Sequence, residues 1–345
     1  MSYKVFDIAV VGQGIAGTLM AYFLKKRGLQ VLVMDNNFEG ASSKVAAGIV
    51  NPITGKNFVK SWRVDEFLPF AEEVYTQMGN ELGIQPYTKA NIIRSLDSIQ
   101  DENNWLARTS DSSVAQYMVA EADVGEFHGK VNQSFGYGEI TGTYHVHLSE
   151  ILEAFKKKCV EEESYLQTKF DYGGLKVDES GFYYDNYCFS EIVFCEGYQA
   201  LYNPFFPNIG MAPSKGEVLL VKIPQASFRK MYKNNIFIVH QYDDVYWVGS
   251  GYEWNAPDDK PTPKSYAILS EALSKALTIP YQIIDHLAAI RPTMHTRRPV
   301  FKIHKEIKGM YLFNGLGTKG SSIGPLAARQ FARYIVERNP NDLEL

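Results

Sequence analysis

Two glycine-rich strings carry the clearest chemistry in this sequence. The first, Gly12-Gln13-Gly14-Ile15-Ala16-Gly17, follows the apolar run Ile8-Ala9-Val10-Val11 and opens a helical pattern. Its first glycine permits a tight turn, its second lets the backbone approach a pyrophosphate, and its third lets the helix pack close to the strand. A helix starting there presents free N–H groups and the positive end of its dipole to phosphate. Asp35 stands 18 residues beyond Gly17, at the end of Val31-Leu32-Val33-Met34. An acid there accepts hydrogen bonds from ribose hydroxyls and disfavours a 2′-phosphate, which argues against NADP.

The second string, Gly315-Leu316-Gly317-Thr318-Lys319-Gly320, follows the run Met310 to Phe313 and precedes helical spacing from Pro325 to Glu337. No acid-bearing strand follows before Leu345. The expectation is a half-unit that points a helix N-terminus at an anion. Reduced flavin carries such a charge at its N1 and C2 carbonyl edge. Three side chains stand as catalytic candidates. Arg291 can clamp a carboxylate with two parallel hydrogen bonds. His240 ends a strand pattern and could line a pocket. Lys319 lies inside the second loop, where it could meet the flavin N1 edge.

These residues need elements to hold them. Ile15, Leu19, Tyr22 and Phe23 follow helical spacing, and Gly28 sits where a C-terminal cap belongs. With the flanking strands this makes one compact βαβ unit. Further helices are expected over 67–79, from Leu148 to Glu163 with Ser149 as N-cap, and from Ser265 to Leu277. Residues from about 80 to 140 read as irregular. Strands are expected at Ile192 to Cys195, Glu217 to Ile223, Ile236 to Gln241 and Val245 to Tyr252. Turns fall at Asp185-Asn186 and Asp243-Asp244. Tyr242, Tyr246, Trp247 and Tyr252 read as core or sheet face, with at most alternate residues able to face a flavin. The expected fold is α/β, or α+β overall. A Rossmann-like FAD-binding domain (1–79, 141–215 and 286–345) interleaves with a smaller antiparallel-sheet substrate domain (80–140 and 216–285).

Bulk composition narrows the function. The chain has 345 residues and a formal net charge of -4, with no block of like charges, so a nucleic-acid footprint is not visible in the gross charge. Three cysteines, Cys159, Cys188 and Cys195, are scattered without a CxxC pair, which argues against a disulfide framework or a metal site. The N-terminus lacks a signal-peptide shape, and no run of about 18 apolar residues offers a membrane span. A cytoplasmic protein with no membrane association is expected.

With these pieces in order, the chain resembles the D-amino-acid-oxidase-like family of FAD-dependent oxidoreductases, which includes glycine and sarcosine oxidases. The resemblance runs over nearly the whole length. It rests on the βαβ unit with Asp35, the Ser-rich stretch from Gly40 to Ile49, and His145-Val146-His147-Leu148 opening a helix. Phe194-Cys195-Glu196-Gly197, Lys215-Gly216-Glu217, Ile290-Arg291-Pro292-Thr293 with Arg298-Pro299, and the tail loop complete it. The resemblance implies FAD contacts at Gly12, Gly14, Ile15, Ala16, Gly17, Asp35, Asn36, Ser42, Ser43, Ala47, Gly48, Ile49 and Gly197. In the tail it implies Gly315, Gly317, Thr318, Lys319, Gly320, Ser321 and Ser322. It also implies oxidation of a C–N bond of an amino acid or small amine by hydride transfer to flavin N5, oriented by Arg291, His240 and Lys319. None of the three cysteines matches the one that sarcosine oxidases attach to the flavin, so non-covalent FAD is expected. Phe237 stands where glycine oxidases place a substrate tyrosine. The tail is also similar to the FAD-dependent half of bifunctional tRNA wobble-uridine modification enzymes. That alternative would make tRNA the substrate and needs a basic rim, for which Lys56, Lys60, Arg63, Arg297 and Arg298 are candidates. A non-catalytic FAD- or nucleotide-binding protein is the remaining alternative.

Overall fold

A computed structural model describes residues 3–254 and 258–343. Two large sheets organise the chain. The first centres on strand Lys4–Val11, which pairs in parallel with Val31–Asp35 on one side and Tyr187–Phe194 on the other. Tyr165–Gln167 extends it beyond Val31–Asp35, and Met310–Asn314 pairs in parallel with the end of Tyr187–Phe194. Ile8, Ala9 and Val10 are completely buried, as a parallel strand covered on both faces requires. Helix Ile15–Lys26 and helix Gly320–Glu337 pack side by side against this sheet.

The second sheet has nine strands and is mostly antiparallel. Ser214–Lys222 pairs with both Val245–Gly249 and Gln282–Arg291, and Phe237–Tyr242 follows Val245–Gly249. Strands Ser214–Lys222 and Gln282–Arg291 run through the boundaries expected at 215/216 and 285/286. One continuous apolar cluster, from Ile8 to Ile335, joins the two sheets.

Three local expectations are corrected. The stretch from 80 to 140 is not irregular: strand Ile92–Leu96 pairs with Gly136–Ile140 and Met231–Lys233, and helix Ile99–Thr109 lies between. The helix buries only Trp105 and is polar over most of its length, which gives the sequence few apolar residues to mark it, and its start is fixed by Ser98 accepting from Asp101 N–H. The helix over Leu148–Glu161 takes His147 as its N-cap, which places Ser149 inside the first turn. The terminal helix begins at Gly320 rather than Pro325. Proline inside a helix leaves the carbonyl four residues earlier without its N–H. Here that carbonyl belongs to Ser321, and the Tyr75 hydroxyl donates to it at 2.8 Å. The compensation comes from a residue 246 positions away, which local pattern cannot show.

Candidate active site

The first glycine loop is compressed from both sides. Gly12 has φ +95°, and a Cβ there would sit 2.5 Å from Cys195 O. A Cβ on Gly17 would sit 1.7 Å from Gly12 O, so the helix and the turn touch backbone to backbone. Asp35 locks the loop: Oδ2 accepts from Gln13 N–H at 2.7 Å and Oδ1 from Asn37 N–H at 2.6 Å. Ser43 Oγ accepts from Ile15 N–H at 3.0 Å, tying the Ser-rich stretch to the first helical turn. Further along, Gly48 has φ +69°, and a Cβ there would lie 1.9 Å from Val146 O.

These pieces wall one end of a cavity of about 680 Å³, within the roughly 300–1,000 Å³ typical of cofactor and ligand sites. Gly12, Gly14, Ile15, Ala16, Asp35, Asn36, Ser42, Ser43, Ala47, Gly48, Ile49 and Gly197 all line it. So do Gly317, Thr318, Lys319, Gly320, Ser321 and Ser322, the second loop and the first turn of its helix. Two helix N-termini therefore open into one space. Gly17 and Gly315 do not line it. Gly17 makes the helix–turn contact, and a Cβ on Gly315 would strike Met294 at 2.5 Å, so both act through packing.

The far wall is one face of the nine-stranded sheet. Gly216, Val218, Phe237, Trp247, Ala289 and Arg291 line the cavity there, with Ser250 and Tyr252 at the rim. Alternation along the strands sorts the aromatics. Trp247 faces the cavity and donates from Nε1 to Val45 O at 2.8 Å, whereas Tyr246 is buried on the opposite face. Tyr242 is exposed, and Tyr252 lines the cavity while 60% exposed. The expectation for Trp247 and Tyr252 is thus corrected. The signal was present in the period of the strand, but choosing between its two phases needed the pairing partner.

Arg291 lies over Gly216 so closely that a Cβ there would be 2.0 Å from Nη2. Nη2 donates to Ser250 Oγ at 2.6 Å, Nη1 donates to Gly251 O at 3.2 Å, and the guanidinium stacks on the Tyr252 ring at 4.5 Å. No ion pair among the described residues uses Arg291. Burial lowers its pKa, opposed by Tyr252. Lys319 donates to Ser61 Oγ at 3.1 Å, and burial together with Arg298 lowers its pKa. His240 is a correction. It is exposed, its Nε2 sits 2.9 Å from Asp243 O, and alternation along its strand turns it away from the cavity that Phe237 lines.

Sequence reading missed Glu196, which lines the cavity beside the first loop. Tyr172 donates to its Oε1 at 2.5 Å and Asn203 to its Oε2 at 2.8 Å, while burial raises its pKa. Among the described lining residues the acids are Asp35 and Glu196, both at the glycine-loop end, and the end where Arg291 and Lys319 stand carries cations. Of the five residues considered for a basic rim, Lys60 is paired with Asp65 at 2.6 Å and Arg63 with Glu66 at 2.7 Å, and Arg298 stacks on Trp62 at 4.0 Å.

A cavity with a locked acid at one end, a backbone cradle at a helix N-terminus and a second helix N-terminus farther along has the donors that a dinucleotide-type cofactor with a second anionic edge requires. The residues present fit FAD: Asp35 could accept from a ribose, the backbone from Gly12 to Ala16 could hold a pyrophosphate, and the helix start at Gly320–Ser322 could face the ring's N1 edge. The chain belongs to the FAD dependent oxidoreductase family, whose pattern it matches over residues 7–334. It is similar to the bifunctional ThiO/ThiG protein of Trichormus variabilis, with 22% identity over 98% of this chain and 54% of that protein. The chain thus spans about half the length of the curated relatives it matches. Its structure is similar to glycine oxidase from Geobacillus kaustophilus (TM-score 0.80, 16% identity, covering 97% of this chain and 95% of that one). It is also similar to iminodiacetate oxidase from Chelativorans sp. BNC1 (TM-score 0.79, 18% identity, covering 98% and 96%). No helix among the described residues is long and apolar enough to cross a membrane.

Proposed function

We propose that this protein oxidises a C–N bond of an amino acid or related small carboxylated amine, with FAD held non-covalently. The observation that carries the reading is Arg291, a half-buried guanidinium that lines the reacting end of the cavity and has no carboxylate partner among the described residues. A planar fork in that position binds a carboxylate through two parallel bonds. Flavin supplies the hydride acceptor at N5. The chain supplies orientation and exclusion of water. Arg291 fixes one end of the substrate, and Phe237 and Trp247 form the wall along which its carbon skeleton lies. No acid among the lining residues stands at this end to stabilise an ammonium, which favours the neutral amine that hydride loss requires. Non-covalent binding is supported by the cysteines. Cys159 and Cys188 do not line the cavity, and Cys195 lies beneath the first glycine loop, away from the ring end. The similarity to oxidases named for glycine and iminodiacetate supports a carboxylated amine.

The test is anaerobic mixing of the yellow holoprotein with amino acids, N-alkyl amino acids and their decarboxylated analogues. Bleaching by a carboxylated amine, with its decarboxylated analogue inert, is the expected result. Equal bleaching by both would remove Arg291 from substrate binding. Failure of every amine to bleach the flavin would overturn the reading.

A further inference from the structure

Strand Ser214–Lys222 sends alternate residues to opposite faces. Gly216 and Val218 face the cavity, while Lys215 and Glu217 face away. Lys215 is 2% exposed, rare for a lysine. Its Nζ donates to Lys260 O at 3.0 Å. It lies 3.6 Å from Glu217 Oε1, 3.6 Å from Glu253 Oε2 and 3.7 Å from Asp258 Oδ1. Glu217 also accepts from Thr262 N–H at 2.8 Å and Thr262 Oγ1 at 2.9 Å, at the N-cap of helix Pro263–Ala276, and lies 2.9 Å from His286 Nε2.

One ammonium therefore gathers two flanks of chain. The first runs from Ser250 to Trp254 and pairs with the strand at Lys215↔Glu253. It carries Ser250, Gly251 and Tyr252, which all touch Arg291. The second carries Asp258 and Lys260. Lys215 also meets Arg291 through its own carbonyl, which accepts from Nη1 at 3.4 Å.

We propose that Lys215 is a positioning residue for the substrate anchor: from the far face of the sheet, its ammonium holds the Ser250–Trp254 flank against the Arg291 guanidinium. This rests on the reading of Arg291 given above. The argument is one of charge. Three carboxylates converge on Nζ, with His286 near one of them. Without Nζ, three like charges face one another with one of them, Glu217, buried, and water screens their repulsion only in part. Glu217 is fixed by the two bonds it accepts from Thr262. Glu253 and Asp258, each about half exposed, are free to turn toward solvent. Glu253 moving outward takes Gly251 and Tyr252 off Arg291, and the guanidinium loses the contacts that aim it.

The test titrates the holoprotein with acetate and reads the change in the flavin's visible band. Lys215→Met is expected to weaken acetate about tenfold, in keeping with the cost of a small misplacement of a binding group. Lys215→Arg retains the cation and is expected to restore most of the affinity. FAD content stays at wild-type level in both. In an Arg291→Met background, Lys215→Met adds no further loss, because its effect passes through Arg291. A general loosening would weaken acetate equally in both backgrounds, and that result, or an unchanged affinity for Lys215→Met, overturns the proposal alone. Wild-type acetate binding by Arg291→Met would instead overturn the anchor reading and this proposal with it. If Lys215→Met does not fold, Glu253→Gln takes its place. Its expected loss is a few-fold, again absent in the Arg291→Met background, and no loss at all overturns the proposal.

Discussion

The two glycine loops have the same spacing and both open helices into one cavity, yet they are built differently. Around Gly12–Gly17 the backbone N–H groups are held by side chains near in sequence, Asp35 on Gln13 and Ser43 on Ile15, while Leu152 and Cys195 add contacts from farther along the chain. Around Gly315–Gly320 two side chains from the far N-terminal part of the chain join the near ones. Tyr75 bonds Ser321 O, Ser61 bonds Lys319, and Thr293 lies against Gly317. The first loop is shaped mainly by the segment that follows it, from Asp35 to Ser43. The second is a place where the βαβ end, the hairpin near Ser61 and the Arg291 strand converge. A local unit specifies a ligand; a convergence specifies what is done to it.

Equivalent substitutions at the third glycine of each loop break this comparison most sharply. Gly17→Ala puts a Cβ 1.7 Å from Gly12 O, a backbone atom that cannot yield. The loop must open, at a cost of about 3 kcal/mol or more, and the purified protein is expected to be colourless. Gly320→Ala puts a Cβ 3.0 Å from Ile15 Cγ2, the end of a side chain that can shift. Alanine also favours the helix that begins there. This variant is expected to stay yellow. Flavin-to-protein absorbance ratios decide it, and equal loss in both variants would erase the distinction.

Arg291→Met probes the other end. It removes the carboxylate clamp and leaves the glycine-loop end untouched. We expect full FAD content and a fall in kcat/KM of about 100-fold, near 3 kcal/mol of transition-state binding. Loss of the flavin with the activity would mean that the two ends are not separable.

This division explains what the sequence revealed. The Gly12–Asp35 unit was legible because strand, turn, helix and acid follow one another, each with its own local signature. The Gly48 segment was legible only through resemblance and order, whereas the Gly315–Gly320 loop carried its own spacing and left open what it faces. The wall of Phe237, Trp247 and Tyr252 was not, because a strand's period says which residues share a face but not which face meets a cofactor. His240 failed for the same reason: it sits one residue out of phase with the cavity face. The start of the last helix was misplaced because Pro325 reads as a beginning until Tyr75 is seen to satisfy the carbonyl it leaves free.

The seam between the two ends has its own test. His145 lies in strand Tyr144–Val146, which backs Gly48: Val146 N–H donates to Gly48 O at 2.9 Å. Burial, then His147 and His240, push its pKa from 6.5 down to about 3. The unfolded chain takes up this proton at higher pH than the folded one. The stability is therefore complete above the unfolded value and is lost as pH falls toward the folded one. The loss reaches about 2 kcal/mol by about pH 5. Urea unfolding of the wild type and of His145→Gln near neutral pH and near pH 5 should show a steeper acid loss in the wild type. Parallel losses would place the acid sensitivity elsewhere.

The smallest effect is expected from Trp247→Phe, and it bears most directly on whether the wall is structural or chemical. The ring keeps its place on the cavity face, but the Nε1 bond to Val45 O is gone. One buried carbonyl loses its donor, which costs about 1 kcal/mol. Val45 belongs to the short helix Ser42–Val45, whose Ser43 anchors the first loop, so this bond is a direct link between the two ends. If the bond only braces the fold, the melting temperature drops by a few degrees while FAD content and kcat/KM for the best amine stay within about twofold. If Trp247 positions the substrate, KM for that amine rises several-fold at unchanged FAD content. Partial loss of FAD with unchanged KM would mean that the wall serves the cofactor and leaves the substrate to Arg291.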